Sequence, residues 1–311
     1  MSRVDADAAP ARARDFLAPR YWPYWVALWL VRLVSLLPLP LLWAAGGVVG
    51  SLGYVVSARQ KHTALVNLAL CFPELDVRAR RRLARGHFRA YGQTLLSAGI
   101  PWWGSPARLR RLTRFRDRHH YDAALAGHRR IILLAPHFLG LEVGGIRLSQ
   151  ERPVVSMYKR PKKALFAYAL GQRSRYAATM VERDAPLTAL IRMIRKGLPF
   201  YYLPDQDPGH GQAVFAPFFG VPAATVTALG RMAKMTEAVV IPCFTRLLPY
   251  GRGYEIFFYP PLADFPSDDA QADARRMNAA IEQGVRAMPE QYMWTYKRFK
   301  TRPGGGASYY D

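Results

Sequence analysis

Residues from about 128 onward alternate short apolar runs with amphipathic stretches, and this alternation predicts an α/β fold. The expected architecture is a layered, mostly parallel sheet flanked by helices, with an N-terminal membrane-associated helix ahead of it. Runs such as RIILLA and AVVIPCFTR, each separated from the next by a helical pattern, are the mark of strand–helix–strand units. The 26 positions from Leu33 to Ala58 carry no charge, which sets the N-terminus apart from the body. Half of the 311 residues are apolar, enough to bury the core of one large domain or two small ones.

The expected strands are residues 130–135 (RIILLA), 153–158 (PVVSMY), 199–203 (PFYYL), 238–246 (AVVIPCFTR) and 254–259 (YEIFFY). Helices are expected over 139–150, 163–176, 186–196, 224–234 and 270–287. A further helix over 76–99 gathers Leu83, Phe88 and Leu95 on one side and arginines on the rest. Residues 1–20 read as a polar cytosolic leader, 21–58 as an apolar anchor, 59–303 as the α/β body and 304–311 as a flexible tail. Within the anchor, Tyr21 to Val31 reads YWPYWVALWLV, the composition of an interfacial aromatic belt. Pro38 and Pro40 split the anchor into two helices, Trp22 to Leu37 and Leu41 to Ser57. Hydropathy alone leaves open whether the anchor spans a bilayer or lies on it.

The net charge is +22, from 44 Lys and Arg against 22 Asp and Glu. Such an excess needs an anionic partner: nucleic acid, an acidic membrane surface, or an acidic protein or substrate. Between residues 78 and 118 there are 12 arginines and a single acid, Asp117. No recognition helix, zinc finger or RNP-like strand accompanies them, so an anionic surface is favoured over nucleic acid. The two cysteines, Cys71 and Cys243, are expected as reduced core thiols and exclude a disulfide-rich scaffold.

Ligands of open α/β sheets bind beyond the carboxyl ends of the strands. Three segments occupy such positions. After the first strand comes PHFLGLE, where His137 and Glu142 can meet if His137 sits in the loop and Glu142 on the first turns of the helix. A carboxylate on one imidazole nitrogen fixes the tautomer and raises basicity, making a general base for a hydroxyl nucleophile. After the second strand, Lys159, Arg160, Lys162 and Lys163 suit a phosphate or an oxyanion. After the third, Asp205-Gln206-Asp207 is either a polar turn or a device that orients cationic or hydroxyl groups. The chain has no G-x-S-x-G, no P-loop and no G-x-G-x-x-G after a strand.

Together these segments resemble the late acyltransferases of lipid A biosynthesis, the lauroyl/myristoyl transferase family of the lysophospholipid-acyltransferase-like group. The resemblance runs through NLALCFPEL (67–75), APHFLGLE (135–142), SMYKRPKK (156–163), LPDQD (203–207), VFAPFFGVPAATVTAL (214–229), VVIPCFTR (239–246) and PEQYMWTYKRFKTRP (289–303). It implies a glycerolipid-acyltransferase-like fold, with 59–303 as the catalytic domain. It also implies transfer of a fatty acyl chain from acyl carrier protein to a hydroxyl of a lipid A precursor of the Kdo-lipid IVA type. His137 then matches the catalytic histidine of H-x4-D/E, with Glu142 as its partner. Arg160 matches a substrate or oxyanion contact flanked by Lys159 and Lys163, and Asp205 matches a further functional position. The family pattern puts the arginine directly after the tyrosine, whereas here Lys159 intervenes. The implied partners are acyl carrier protein, an anionic glycolipid and inner-membrane lipids at the cytoplasmic face, with no cofactor, metal or nucleic acid. The competing readings are acyl transfer to another glycolipid, aminolipid or lysophospholipid, and a non-enzymatic basic membrane-binding protein.

Overall fold

A computed structural model describes residues 18–158, 176, 178–183, 185–211 and 213–311. The helix expected over 163–176 and the basic residues Lys159, Arg160 and Lys163 lie outside the described residues, apart from Tyr176.

The N-terminal region is helical. α1 (Trp22–Val34) and α2 (Leu39–Val56) flank the connection at Ser35–Pro38, and α3 (Ala58–Cys71) follows at once. Two helices are therefore present where the prolines predict them. α4 (Val77–Ser97) is started by Asp76, whose side chain accepts from the Ala79 N–H at 2.6 Å. The short α5 (Gly99–Trp103) and α6 (Pro106–Leu112) come next, α6 being capped by Ser105 with Pro106 in its first turn.

The body then alternates: β1 (Thr113–Arg116), α7 (His119–Ala126), β2 (Ile131–Leu134), α8 (Leu141–Glu151), β3 (Val154–Tyr158) and β4 (Ala178–Glu182). It continues with α9 (Leu187–Arg195), β5 (Phe200–Tyr202), β6 (Ala213–Phe218), β7 (Val221–Val226), α10 (Ala228–Thr236), β8 (Val239–Leu247), β9 (Tyr254–Phe258) and α11 (Ala270–Ala287). Seven strands form one sheet in the order β1-β9-β8-β2-β5-β3-β4. Every neighbouring pair is parallel except β8 with β9. The fold is thus α/β, with a mostly parallel sheet flanked by helices.

Alternate residues of the central strands face opposite layers, as the two-residue period of a strand requires. Ile132, Leu134, Val240, Phe244 and Phe257 enter the larger core with Phe218, Trp294 and Phe299. Ile131, Leu133, Ile241, Cys243 and Phe258 face a second core with Tyr121. Cys71 and Cys243 are free and buried.

Some expectations differ from the structure. Residues 224–234 do not form one helix: β6 and β7 make a two-stranded hairpin turned at Phe219-Gly220, both with positive φ, and α10 begins only at Ala228. β1, β4 and β6 are strands outside the expected ones. The basic residues of β1 explain one of these: Arg114 and Arg116 both reach the buried Glu255 of β9, so the strand carries charge where an apolar run is expected. Within the expected tail, one residue is fixed to the body. Tyr310 is buried, its hydroxyl donating to Asn67 Oδ1 at 2.6 Å and accepting from the Phe299 N–H at 3.0 Å.

Helix α2 meets α4 backbone to backbone. A Cβ on Gly46 would stand 2.5 Å from Gln93 Cα, and one on Gly50 would stand 2.7 Å from Arg89 Cα. On the other side of α4, fully buried His87 hydrogen-bonds through Nδ1 to the Glu290 carbonyl at 3.1 Å. A carbonyl only accepts, so Nδ1 carries the proton. Burial pushes the His87 pKa down from 6.5 to about 4.

Two predictions follow from this packing. Gly50→Leu forces the two helices apart and lowers stability by about 2 kcal/mol or more, measured as a fall in urea midpoint. Because His87 is depressed in the folded state, its contribution is complete above pH 6.5 and is lost as pH falls toward 4. The loss is about 3 kcal/mol from the two protonation equilibria, and urea titrations of His87→Leu at pH 7 and pH 4 should show a flatter dependence than the parent chain.

Candidate active site

β2 and β5 are adjacent and parallel, with Leu134 opposite Tyr202, so the chain leaves both strands at the same edge of the sheet. The register continues one step, Ala135 N–H donating to the Tyr202 carbonyl at 2.8 Å. His137 follows one strand and Asp205 the other. One carboxylate then holds a single residue twice: Asp205 Oδ2 accepts from the His137 backbone N–H at 2.9 Å, and Oδ1 lies 2.6 Å from His137 Nδ1.

Asp205 is 3% exposed. Burial pushes its pKa up, but the charge and hydrogen bonds of His137, together with Arg298, outweigh it and hold the carboxyl below its ordinary value. An ionised carboxylate only accepts, so Nδ1 carries a proton, and in the neutral imidazole the lone pair is left on Nε2. The Gln206 side-chain nitrogen lies 3.3 Å from Nε2, and the Tyr296 ring stands edge-on to the imidazole at 5.4 Å. Below the pair, burial and then the charge of Asp205 raise the Tyr292 hydroxyl well above its usual pKa, so it remains a donor. Buried Arg298 is fixed by the Ala224 carbonyl at 2.8 Å and Asn278 Oδ1 at 3.3 Å.

His137 opens onto a cavity of about 540 Å³ at the carboxyl ends of β2, β3 and β5. Glu142, on the first turn of α8, is in its wall and accepts from Trp102 Nε1 at 3.0 Å. α8 sits close enough for this because Gly144 faces the Thr245 side chain of β8, where a Cβ would collide. The cavity is also lined by Tyr158, Arg183, Met293 and Tyr296. The C-terminal segment reaches the site by pairing beside His137: Leu139 N–H donates to Gln291 O and Met293 N–H to His137 O, both at 2.9 Å. Asn67 of α3 steadies it, donating to the Trp294 and Tyr296 carbonyls at 2.7 Å.

The structure therefore brings His137 and Glu142 to one cavity, with Asp205 buried behind His137. It differs from the expected partnership in one respect: the carboxylate on the imidazole Nδ1 is that of Asp205, and the described hydrogen bond of Glu142 is to Trp102. The reason is topological, since neighbouring strand ends are close in space whatever their separation in sequence. Asp207 has a different task from Asp205. It accepts from Gly209 N–H at 2.9 Å, Thr301 N–H at 2.7 Å and Thr301 Oγ1 at 2.8 Å, tying the C-terminal segment to the loop. Arg183 is a cavity cation that the sequence reading missed, because β4 ahead of it lacks a continuous apolar pattern. Among the described residues, no group of three or more His, Cys, Asp or Glu is arranged to hold a metal ion. Burial raises the pKa of both thiols, leaving them protonated and poor nucleophiles.

Comparison with known proteins gives a consistent result. The sequence model of the family described as bacterial lipid A biosynthesis acyltransferase matches residues 9–301. The chain is 34% identical over 303 residues to the lipid A biosynthesis lauroyltransferase of Escherichia coli (strain K12), covering 97% of this chain and 99% of the relative. It is 31% identical to the lipid A biosynthesis palmitoleoyltransferase of the same organism, covering 96% of this chain and 97% of the relative. With the lipid A biosynthesis myristoyltransferase of that organism, identity is 29%, covering 97% of this chain and 94% of the relative.

Asp207→Ala should loosen the C-terminal segment while leaving the strand-end pairing of Asp205 intact. Loss of hydrogen bonds to a carboxylate predicts about 2–4 kcal/mol of destabilisation, checked by chemical denaturation.

Proposed function

Since the chain belongs to the bacterial lipid A biosynthesis acyltransferase family and is an acyltransferase, we propose that it transfers a fatty acyl chain from acyl carrier protein to a hydroxyl of a lipid A precursor of the Kdo-lipid IVA type, with His137 as general base. The observation that carries this reading is the His137–Asp205 pair, whose Nε2 is left free of the carboxylate beside a cavity large enough for the reacting ends of two substrates.

In this mechanism Nε2 takes the proton from the acceptor hydroxyl as its oxygen attacks the thioester carbonyl. Asp205 keeps Nδ1 protonated, holds the ring in place through its second bond to the His137 backbone, and stabilises the imidazolium once it forms. The tetrahedral intermediate collapses to the ester, and the departing thiol takes the proton from the imidazolium. Transfer is direct from donor to acceptor. Glu142 is the second carboxylate of the reaction: in the cavity wall, held by Trp102, it orients the acceptor hydroxyl toward Nε2. Arg160, flanked by Lys159 and Lys163, supplies positive charge for the oxyanion and for an anionic acceptor, joined by Arg183 from the described wall.

The substrates set the location. The acceptor is a lipid and the donor a soluble acidic carrier, so the enzyme works at the cytoplasmic face of the bacterial inner membrane. The apolar helices α1 and α2 hold it there, and the arginines between 78 and 118 meet the carrier and the anionic headgroups.

His137→Ala abolishes acyl transfer by purified, folded protein; retention of full activity overturns the mechanism. Asp205→Asn keeps the shape but not the charge, and lowers kcat by about 10²–10⁴-fold. Mass spectrometry of lipid A from a deletion strain, with and without the gene restored, should show one acyl chain lost and regained.

A further inference from the structure

We propose that α1 and α2 lie in the plane of the membrane surface and that neither crosses the bilayer. The proposal rests on the membrane association just inferred and adds its geometry.

Among the described residues α2 alone qualifies as a span by length and composition, with 18 residues and a mean hydropathy of 1.6. α1 has 13 residues, about 20 Å of helix, short of the ~30 Å hydrocarbon thickness. The packing of α2 decides against a span. Its face carrying Gly46 and Gly50 is pressed onto α4 with no room for a Cβ at either position. Contact runs along half of the helix, from Gly46 against Gln93 to Tyr54, whose ring packs on Phe88 at 5.5 Å and lies 5.6 Å from the Arg85 guanidinium. α4 cannot follow α2 into hydrocarbon. It carries Arg78, Arg80, Arg81, Arg82, Arg85 and Arg89, and its inner side, Ala84 and Phe88, belongs to the main core of the α/β body. Charges at the bilayer centre are strongly disfavoured, and here the whole sheet would have to follow them.

The turn between the helices is fastened as well. The Arg108 guanidinium of α6 donates to the Ser35 carbonyl and, at 2.6 Å, to the Leu37 carbonyl. Ser35 is buried against Gly99. Neither helix is thus free to swing away from the body.

What remains exposed suits an interfacial helix. On α1, Trp22, Val26, Trp29, Leu30 and Leu33 fall within one 100° arc of helix and are each more than half exposed. On α2, Leu41, Val48, Leu52, Val55 and Val56 form the face opposite Gly50, also more than half exposed. Arg20 and Arg32 stack on the rings of Tyr21 and Trp29. One apolar side, aromatic residues and a cationic margin match the boundary between headgroups and acyl chains of an anionic leaflet.

The test uses two measurements on the full chain. Single cysteines at Ala18→Cys, Leu37→Cys and Arg59→Cys mark the start, turn and end of the hairpin; native Cys71 and Cys243 are buried and stay silent. A membrane-impermeant maleimide should label all three in cytoplasm-out inverted vesicles and none in intact spheroplasts. Labelling of any one from the periplasmic side, or protection of Leu37→Cys from both sides, overturns the in-plane arrangement. Separately, flotation with phosphatidylglycerol-containing vesicles tests association. Val26→Lys with Leu33→Lys should weaken vesicle binding about tenfold or more while sparing activity on detergent-dispersed acceptor. Unchanged flotation overturns the role of this face, as does conversion of a dimer to a monomer with no change in vesicle binding, which would assign the face to a second copy. A chain that floats but labels from both sides keeps its membrane association and loses only the proposed geometry.

Discussion

The site depends on one carboxylate. Asp205 grips the backbone and the ring of His137 together, and each grip needs the other. The backbone bond fixes where the loop after β2 runs. The ring bond fixes which nitrogen faces the cavity. An aspartate buried to this extent would ordinarily be an expensive charge. Here it is offset by two N–H donors, the Tyr292 hydroxyl and the nearby Arg298 guanidinium, which is itself held by Ala224 and Asn278. The contacts beneath the site are therefore polar, and the imidazole above them is held with a proton on Nδ1.

A second constraint shapes the other side of the molecule. Parallel sheets are covered on both faces, and the strands of this one feed two apolar layers. The N-terminal helices are added to this body through α4, with glycine at the closest approach. Much of their remaining surface is apolar and exposed among the described residues. The same helix that completes the core thus carries the anchor and displays the arginines.

Much of this was legible in the sequence, for particular reasons. β2 and β8 are buried on both faces, so IILL and VVIPCF stand out as unbroken apolar runs, and the residues just beyond strands drew attention to His137, Glu142 and Asp205. The proline pair at 38 and 40 marked the break between α1 and α2. Pairing was harder to read. Nothing local ties His137 to a residue 68 positions away; that contact exists only because β2 and β5 are neighbours in a strand order that skips through the chain. Glu142, five residues on, was the local candidate. β1 and β4 escaped because edge strands need not be apolar: Arg114 and Arg116 are stabilised across the sheet by Glu255, a partner 141 positions away from Arg114. The β6–β7 hairpin was hidden by alanines, which suit a helix as readily as a strand packed on α11.

The tie between Asn67 and the C-terminal segment bears on when the enzyme becomes able to act. Asn67 is separated from Trp294 by 227 residues and from Tyr310 by 243. Contacts of such sequence separation form late, after the loop between them has been closed. The wall supplied by Met293 and Tyr296 is therefore among the last parts of the cavity to assemble. During synthesis all nine described strands, the last ending at Phe258, precede this wall, so the cavity at His137 lacks one side until the segment after α11 is in place.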